Sequence, residues 1–175
     1  MQIPLWLKIQ RVSLFFFLAS GVLLLIYALG FISDVYLFFA YGNRGLVEFY
    51  NEMQAINAGL LWKAVMLIIF AIVLFLLQLD KHPAGLITLI LTLLILAASI
   101  VFCAGSLLAL AEAREKYTAL DLSSLNRYIE RGAIQYEFST LTYDLGLAGY
   151  ALLCLASLFT ASIVIRNAIK VEDKA

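Results

Sequence analysis

The chain has little of what enzyme chemistry usually draws on. It contains one histidine, two cysteines and two prolines in 175 residues, and only 14% of its side chains are charged. A single histidine, His82, excludes bis-histidine haem and histidine-cluster metal sites by count. Cys103 and Cys154 lie in the middle of apolar runs and form no CxxC, which argues against a membrane thiol oxidoreductase. A thiol in such surroundings is a small packing residue. The loop cysteine pairs that mark several four-span families are missing, as are GxSxG, HExxH and the P-loop. Basic and acidic residues number 12 each, so zero net charge gives no footing for nucleic acid or for strong attachment to anionic lipid. No metal and no cofactor is expected, and no catalytic residue is assigned.

What is present is apolar. Hydrophobic residues make up 64% of the chain, against about 45–50% in soluble domains. Lipid must therefore be the solvent for much of the surface. A spanning helix needs about 20 mainly apolar residues, because the hydrocarbon layer is about 30 Å thick and each residue rises about 1.5 Å. Four segments qualify: 12–33, 57–79, 84–111 and 145–165. The first run exceeds the apolar core of a secretory signal, about 7–15 residues, so it is expected to be retained. Backbone amides in lipid must bond within their own segment. The expected fold is an all-α integral membrane protein, an antiparallel bundle of four transmembrane helices in one domain spanning residues 1–175.

Between spans two and three, "DKHPAG" leaves room only for a short turn. The other connections, 34–56 and 112–144, are long. An even number of spans puts both termini on one side. Lys8, Arg11, Lys81, Arg166, Lys170 and Lys174 crowd the short flanks of that side, while the six other basic residues are spread through the two long loops and their edges. Dense positive charge marks the cytoplasmic side. The expectation is a multi-pass protein of the plasma or inner membrane, with both termini cytoplasmic and both long loops outside.

The first outer loop turns at Gly42–Gly45, and then a helical pattern begins. Phe49, Met53, Ile56 and Leu60 recur on one face, with Glu48, Glu52, Gly59 and Lys63 on the other. Lys63 beside Trp62 reads as an interfacial anchor whose long stem reaches water. The alternative is a lysine that pairs with Asp34 or Asp144 at the mouths of neighbouring helices, or that touches a partner. In the second loop, "LDLSSLNRYIERG" gives an apolar stripe of Leu122, Leu125, Tyr128 and Ile129, with Arg127 and Arg131 facing away and Gly132 suited to a helix end. Seven tyrosines fall in the loops, Tyr36, Tyr41, Tyr50, Tyr117, Tyr128, Tyr136 and Tyr143. Tyrosine suits both the membrane interface and recognition surfaces. The candidate interaction residues are Asp34, Tyr36, Tyr50, Glu52, Trp62, Lys63, Arg127, Tyr128, Arg131 and Asp144.

Polar residues within the spans are mostly hydroxyls, and the paired helix breaks of secondary transporters are missing. Small residues at Gly146, Gly149, Ser157 and Ala161, and at Ser99 and Cys103, permit close helix approach. The expected function is that of a non-catalytic accessory or scaffolding subunit in a larger membrane complex, a multi-subunit transporter foremost. Its partners would be other integral membrane subunits, met through helix faces and outer loops. The alternatives are a homo-oligomeric pore or junction-like assembly, and a small enzyme acting on a lipid-linked substrate at the outer leaflet through carboxylates between Glu112 and Asp144.

Overall fold

A computed structural model describes residues 5–33, 35–77 and 85–172. Asp34, and most of the turn around His82, lie outside the described residues. Among those described, all regular structure is helical: α1 (Leu5–Gly30), α2 (Tyr36–Tyr41), α3 (Arg44–Leu77), α4 (Leu86–Thr118), α5 (Ser123–Glu130) and α6 (Leu141–Glu172). Four of these, α1, α3, α4 and α6, are long and apolar enough to cross a membrane.

The four long helices close a ring in which α1 packs on α3 and α6, and α4 packs on the same two. Asn167 donates to Gln10 at 2.6 Å, the Thr160 hydroxyl lies 3.1 Å from that of Ser13, and Tyr27 overlies Gly146. Positions on α6 therefore fall as those on α1 rise. The same order holds between α3 and α4, where Glu52 meets Lys116 and Phe70 stacks on Phe102. Leu60, Ala64, Leu67, Ala71 and Leu74 form the buried stripe of α3, while Ile69, Ile72 and Leu76 face outward. An apolar outer face on helices with an equally apolar inner stripe is the pattern of a bundle solvated by lipid.

Small residues line the seams. Ser99, Cys103, Ser106 and Ser157 are fully buried. The three serine hydroxyls donate to the carbonyls of Ile95, Phe102 and Leu153 one turn back, at 2.8–2.9 Å, which disposes of their polarity inside the helix.

At about 1.5 Å per residue, α3 and α4 are each about 50 Å long, well beyond the roughly 30 Å of hydrocarbon. The first turn of α3 and the last turns of α4 thus project together at one end of the ring. Each carries the means of ending there. Asn43 caps α3, its side-chain oxygen accepting from the Leu46 amide at 3.0 Å. Short α2 packs on α3 and on α5, and Asn43 donates its own amide to the Ser124 hydroxyl at 3.2 Å. The α5 helix closes with Ala133 N–H on Tyr128 O and Gly132 N–H on Ile129 O. This is a Schellman ending, and Gly132 supplies the positive φ, 68°, that it requires.

Gly42, between α2 and α3, is fixed by space rather than by φ. A Cβ there would run into the Phe38 carbonyl and stand 2.6 Å from Leu46 Cβ, neither of which is a free side-chain tip. Gly42→Ala is expected to cost about 1–3 kcal/mol through overpacking. Denaturant or SDS titration in detergent, followed by circular dichroism, measures it.

Candidate functional site

The projecting end of the ring carries a cap with an aromatic interior. Phe38 is fully buried and its ring centroid lies 6.0 Å from Phe49, 6.2 Å from Tyr117 and 5.5 Å from Tyr136. Tyr117 stacks on Phe138 at 4.8 Å, with the rings 4° from parallel, and leans on Tyr143 at 5.1 Å. The hydroxyls of Tyr117 and Tyr136 bond to each other. These contacts are geometrically favourable for aromatic pairs, each worth about 0.5–1.5 kcal/mol beyond the area they bury. Tyr117 and Tyr143 are thus interior parts of the cap and Tyr136 is half-buried against them, while Tyr36 on α2 and Tyr128 on α5 stay exposed, at 57% and 39%. Tyr50 is half-buried against Phe39, its hydroxyl accepting from Gln54 at 3.0 Å. Tyr128 packs on Tyr41 at 5.2 Å, and Arg127 on the same short helix and Arg131 at its C-cap are exposed.

Below the aromatic cluster runs a belt of ion pairs. Lys116 on α4 bonds Glu52 on α3 at 2.9 Å and Glu112 at 3.1 Å. Arg114 bonds Asp144 at 2.7 Å, and Asp144 also accepts from the Thr140 hydroxyl at 2.8 Å in the first turn of α6, where the helix dipole favours an anion. Exposed pairs of this kind add little to stability; their value is in setting the register of α3, α4 and α6. Higher in the cap, the Ser123 amide and hydroxyl bond Asp121 and hold its carboxyl below the usual carboxylate range. A shallow depression of about 290 Å³ lies there, lined by Asn43, Arg44, Gly45, Leu46, Leu120 and Asp121.

Lys63 stands apart from all of this. It is half-buried on α3, and its ammonium lies 3.5 Å from where a Cβ on Gly105 of α4 would be. Gly105 comes nine residues before Arg114, and Lys63 eleven after Glu52. At about 1.5 Å per residue the ammonium is roughly 13–16 Å below the ion-pair belt. It extends sideways across the α3–α4 seam, level with Gly105. Its carboxylate candidates are engaged or out of view: Asp144 holds Arg114, and Asp34 is outside the described residues. Among the described residues, Lys63 has no ion pair. Trp62 next to it is 56% exposed and meets Phe102 edge-on at 6.0 Å.

The structure thus gathers the sequence candidates into two groups. Glu52 and Asp144 join the belt through Lys116 and Arg114, beneath a cap that displays Tyr36, Arg127, Tyr128 and Arg131. Trp62 and Lys63 form a second place, lower on the α3–α4 seam. Sequence reasoning passed over Arg114, Lys116 and Gly105. It also passed over Asn57, whose buried side-chain oxygen finds no hydrogen-bond partner among the described residues. The signal for Asn57 was there: it falls four residues after Met53 and three before Leu60, on the apolar stripe. No grouping of His, Cys, Asp and Glu fit for a metal exists among the described residues. The chain matches no family model, no curated protein and no solved structure.

Proposed function

We propose that the protein is a non-catalytic accessory or scaffolding subunit of a larger membrane complex, a multi-subunit transporter foremost. In this reading the ring is an antiparallel transmembrane bundle, both termini are cytoplasmic, and the cap is extracytoplasmic. The observation that carries the reading is the construction of the cap. Its two excursions are fastened to the projecting ends of α3 and α4 by an aromatic interior, so α2 and α5 present Tyr36, Arg127, Tyr128 and Arg131 on a preformed surface. Preorganised surfaces lose less entropy on binding, and tyrosine and arginine are the residues most often found at the energetic centres of interfaces.

The test is purification from native membranes in mild detergent followed by native mass spectrometry, for the wild type and for an Arg127→Glu, Tyr128→Ala, Arg131→Glu variant. A partner in fixed stoichiometry with the wild type and absent from the variant is the expected result. A bare monomer, or a complex indifferent to these substitutions, contradicts the reading.

A further inference from the structure

Resting on the subunit reading above, we infer that the α3–α4 seam around Lys63 docks a spanning helix of the partner, and that this helix carries a carboxylate facing the Lys63 ammonium. Depth is the first argument. From Asp144 to Arg166 is 22 residues, about 33 Å of helix, which matches the hydrocarbon thickness. Gly105 and the ammonium beside it lie about two-fifths of the way across from the belt end, by the same rise per residue. Ionisable groups at such depth are costly and mark functional contacts with an opposite charge.

The second argument is accessibility. Gly105 is half-buried and has no side chain, and its α4 neighbours Val101 and Leu108 are exposed, at 67% and 74%. A neighbouring backbone can approach closely at such a position. On the outward face of α3, next to the seam, Leu61, Trp62, Val65 and Met66 line a shallow apolar groove of about 330 Å³, and of these Trp62 reaches Phe102 on α4. The seam therefore offers one cation bordered by apolar surface, open toward lipid.

Charge complementarity then selects the occupant. A bilayer phosphate sits at headgroup level, which is the level of the ion-pair belt, and a phosphate there is more than about 10 Å too high along the helix axis. A second copy of this chain brings no suitable acid either. Every described carboxylate between Glu48 and Asp144 lies at the belt or above it, and Glu172 lies at the opposite end of α6. What remains is an acidic residue set within a spanning helix of a different protein.

The probe is a synthetic helix of alternating Leu and Ala, about 21 residues long, with a single Glu placed at Lys63's depth, beside a twin carrying Gln. Each is reconstituted with the full-length protein in phosphatidylcholine vesicles, and association is read by energy transfer from a dye on the protein to one on the peptide. The Glu helix is expected to bind about tenfold more tightly than the Gln helix, the worth of one interhelical polar contact. Lys63→Met should abolish that preference and Lys63→Arg should keep it. Removing a charge from the hydrocarbon leaves Lys63→Met free to fold, and its helix content and melting are checked in the same vesicles. Equal binding of the two peptides, a preference that survives Lys63→Met, or displacement of the Glu helix by added phosphatidylglycerol would each overturn the inference, the last by making the site a lipid site. A native complex lost on the α5 substitutions yet intact in Lys63→Met sinks this contact alone. A chain that is monomeric in native membranes sinks the subunit reading, whatever the peptides do.

Discussion

Phe38→Ala is expected to destabilise the cap by about 3–5 kcal/mol, the range for emptying a fully buried phenylalanine site. Phe38 has no exposed surface and its ring touches those of Phe49, Tyr117 and Tyr136, which come from α3, α4 and the segment after α5. One deletion therefore removes a wall from each of three separate pieces of chain. The surroundings cannot collapse freely, because Tyr117 is already held by Phe138 on its other side. The long helices bury their own stripes independently, so the loss should be local. Hydrogen exchange in detergent is expected to speed up at α2, at α5 and across 133–140, with the amides of α6 below Tyr150 unchanged. Limited proteolysis should cut the variant first between 119 and 140. Uniform loss of protection across all four long helices would show that cap and bundle form a single cooperative unit instead.

Gly146→Ala is the second. Gly146 is buried where α1, α4 and α6 converge, and a Cβ there would enter the space of the Tyr27 hydroxyl and stand 2.9 Å from Leu110 Cδ1. Tyr27 has nowhere easy to go, since its ring lies 5.8 Å from that of Phe31. The expected cost is about 1–3 kcal/mol from overpacking. Because the clash is with a particular group, it should couple to it: Tyr27→Phe, which removes the hydroxyl, should recover part of the loss. A double-mutant cycle by SDS titration reads this as an interaction energy between residues in contact, typically about 0.5–3 kcal/mol. Additive effects would mean that α6 shifts as a body and that the close approach at Gly146 is dispensable.

Much of this fold can be read from the residues, and the reasons are physical. Apolar runs of this length have few alternatives to helices in lipid, so the four spanning candidates stand out without any pairing information. The stripe of Phe49, Met53 and Leu60 is local as well, and it runs on without a break into the apolar part of α3. The cap's interior was hidden for the opposite reason. Phe38, Phe49, Tyr117, Tyr136 and Tyr143 are spread over a hundred residues, and no periodicity ties one loop to another. An interfacial tyrosine and a tyrosine buried in a cap have the same local sequence, so Tyr117 and Tyr143 were indistinguishable from Tyr36 and Tyr128.

Lys63 shows how a chemical reading turns on where the edge of a span is set. With the second span taken to begin at Asn57, the lysine stands a turn or so from the edge, where a long side chain reaches water. The ion pairs at the cap end, Glu52 with Lys116 and Arg114 with Asp144, join residues 64 and 30 positions apart, and those partnerships have no sequence signature. Once they are known, the distance of Lys63 below them follows from the helix rise alone. Gly105, across the seam, explains why its ammonium can lie sideways.

The arrangement of bundle and cap relative to the bilayer is tested most directly by single-cysteine labelling in intact cells, in a Cys103→Ala, Cys154→Ala background. An impermeant maleimide should label cysteine at Arg127 or Arg131 from outside, label one at Arg166 only after permeabilisation, and leave positions Val101 and Leu155 unlabelled in both conditions. Labelling of Arg127 and Arg166 from the same side, or ready labelling of Val101 or Leu155 in intact cells, would contradict a bundle that crosses the membrane with its cap outside.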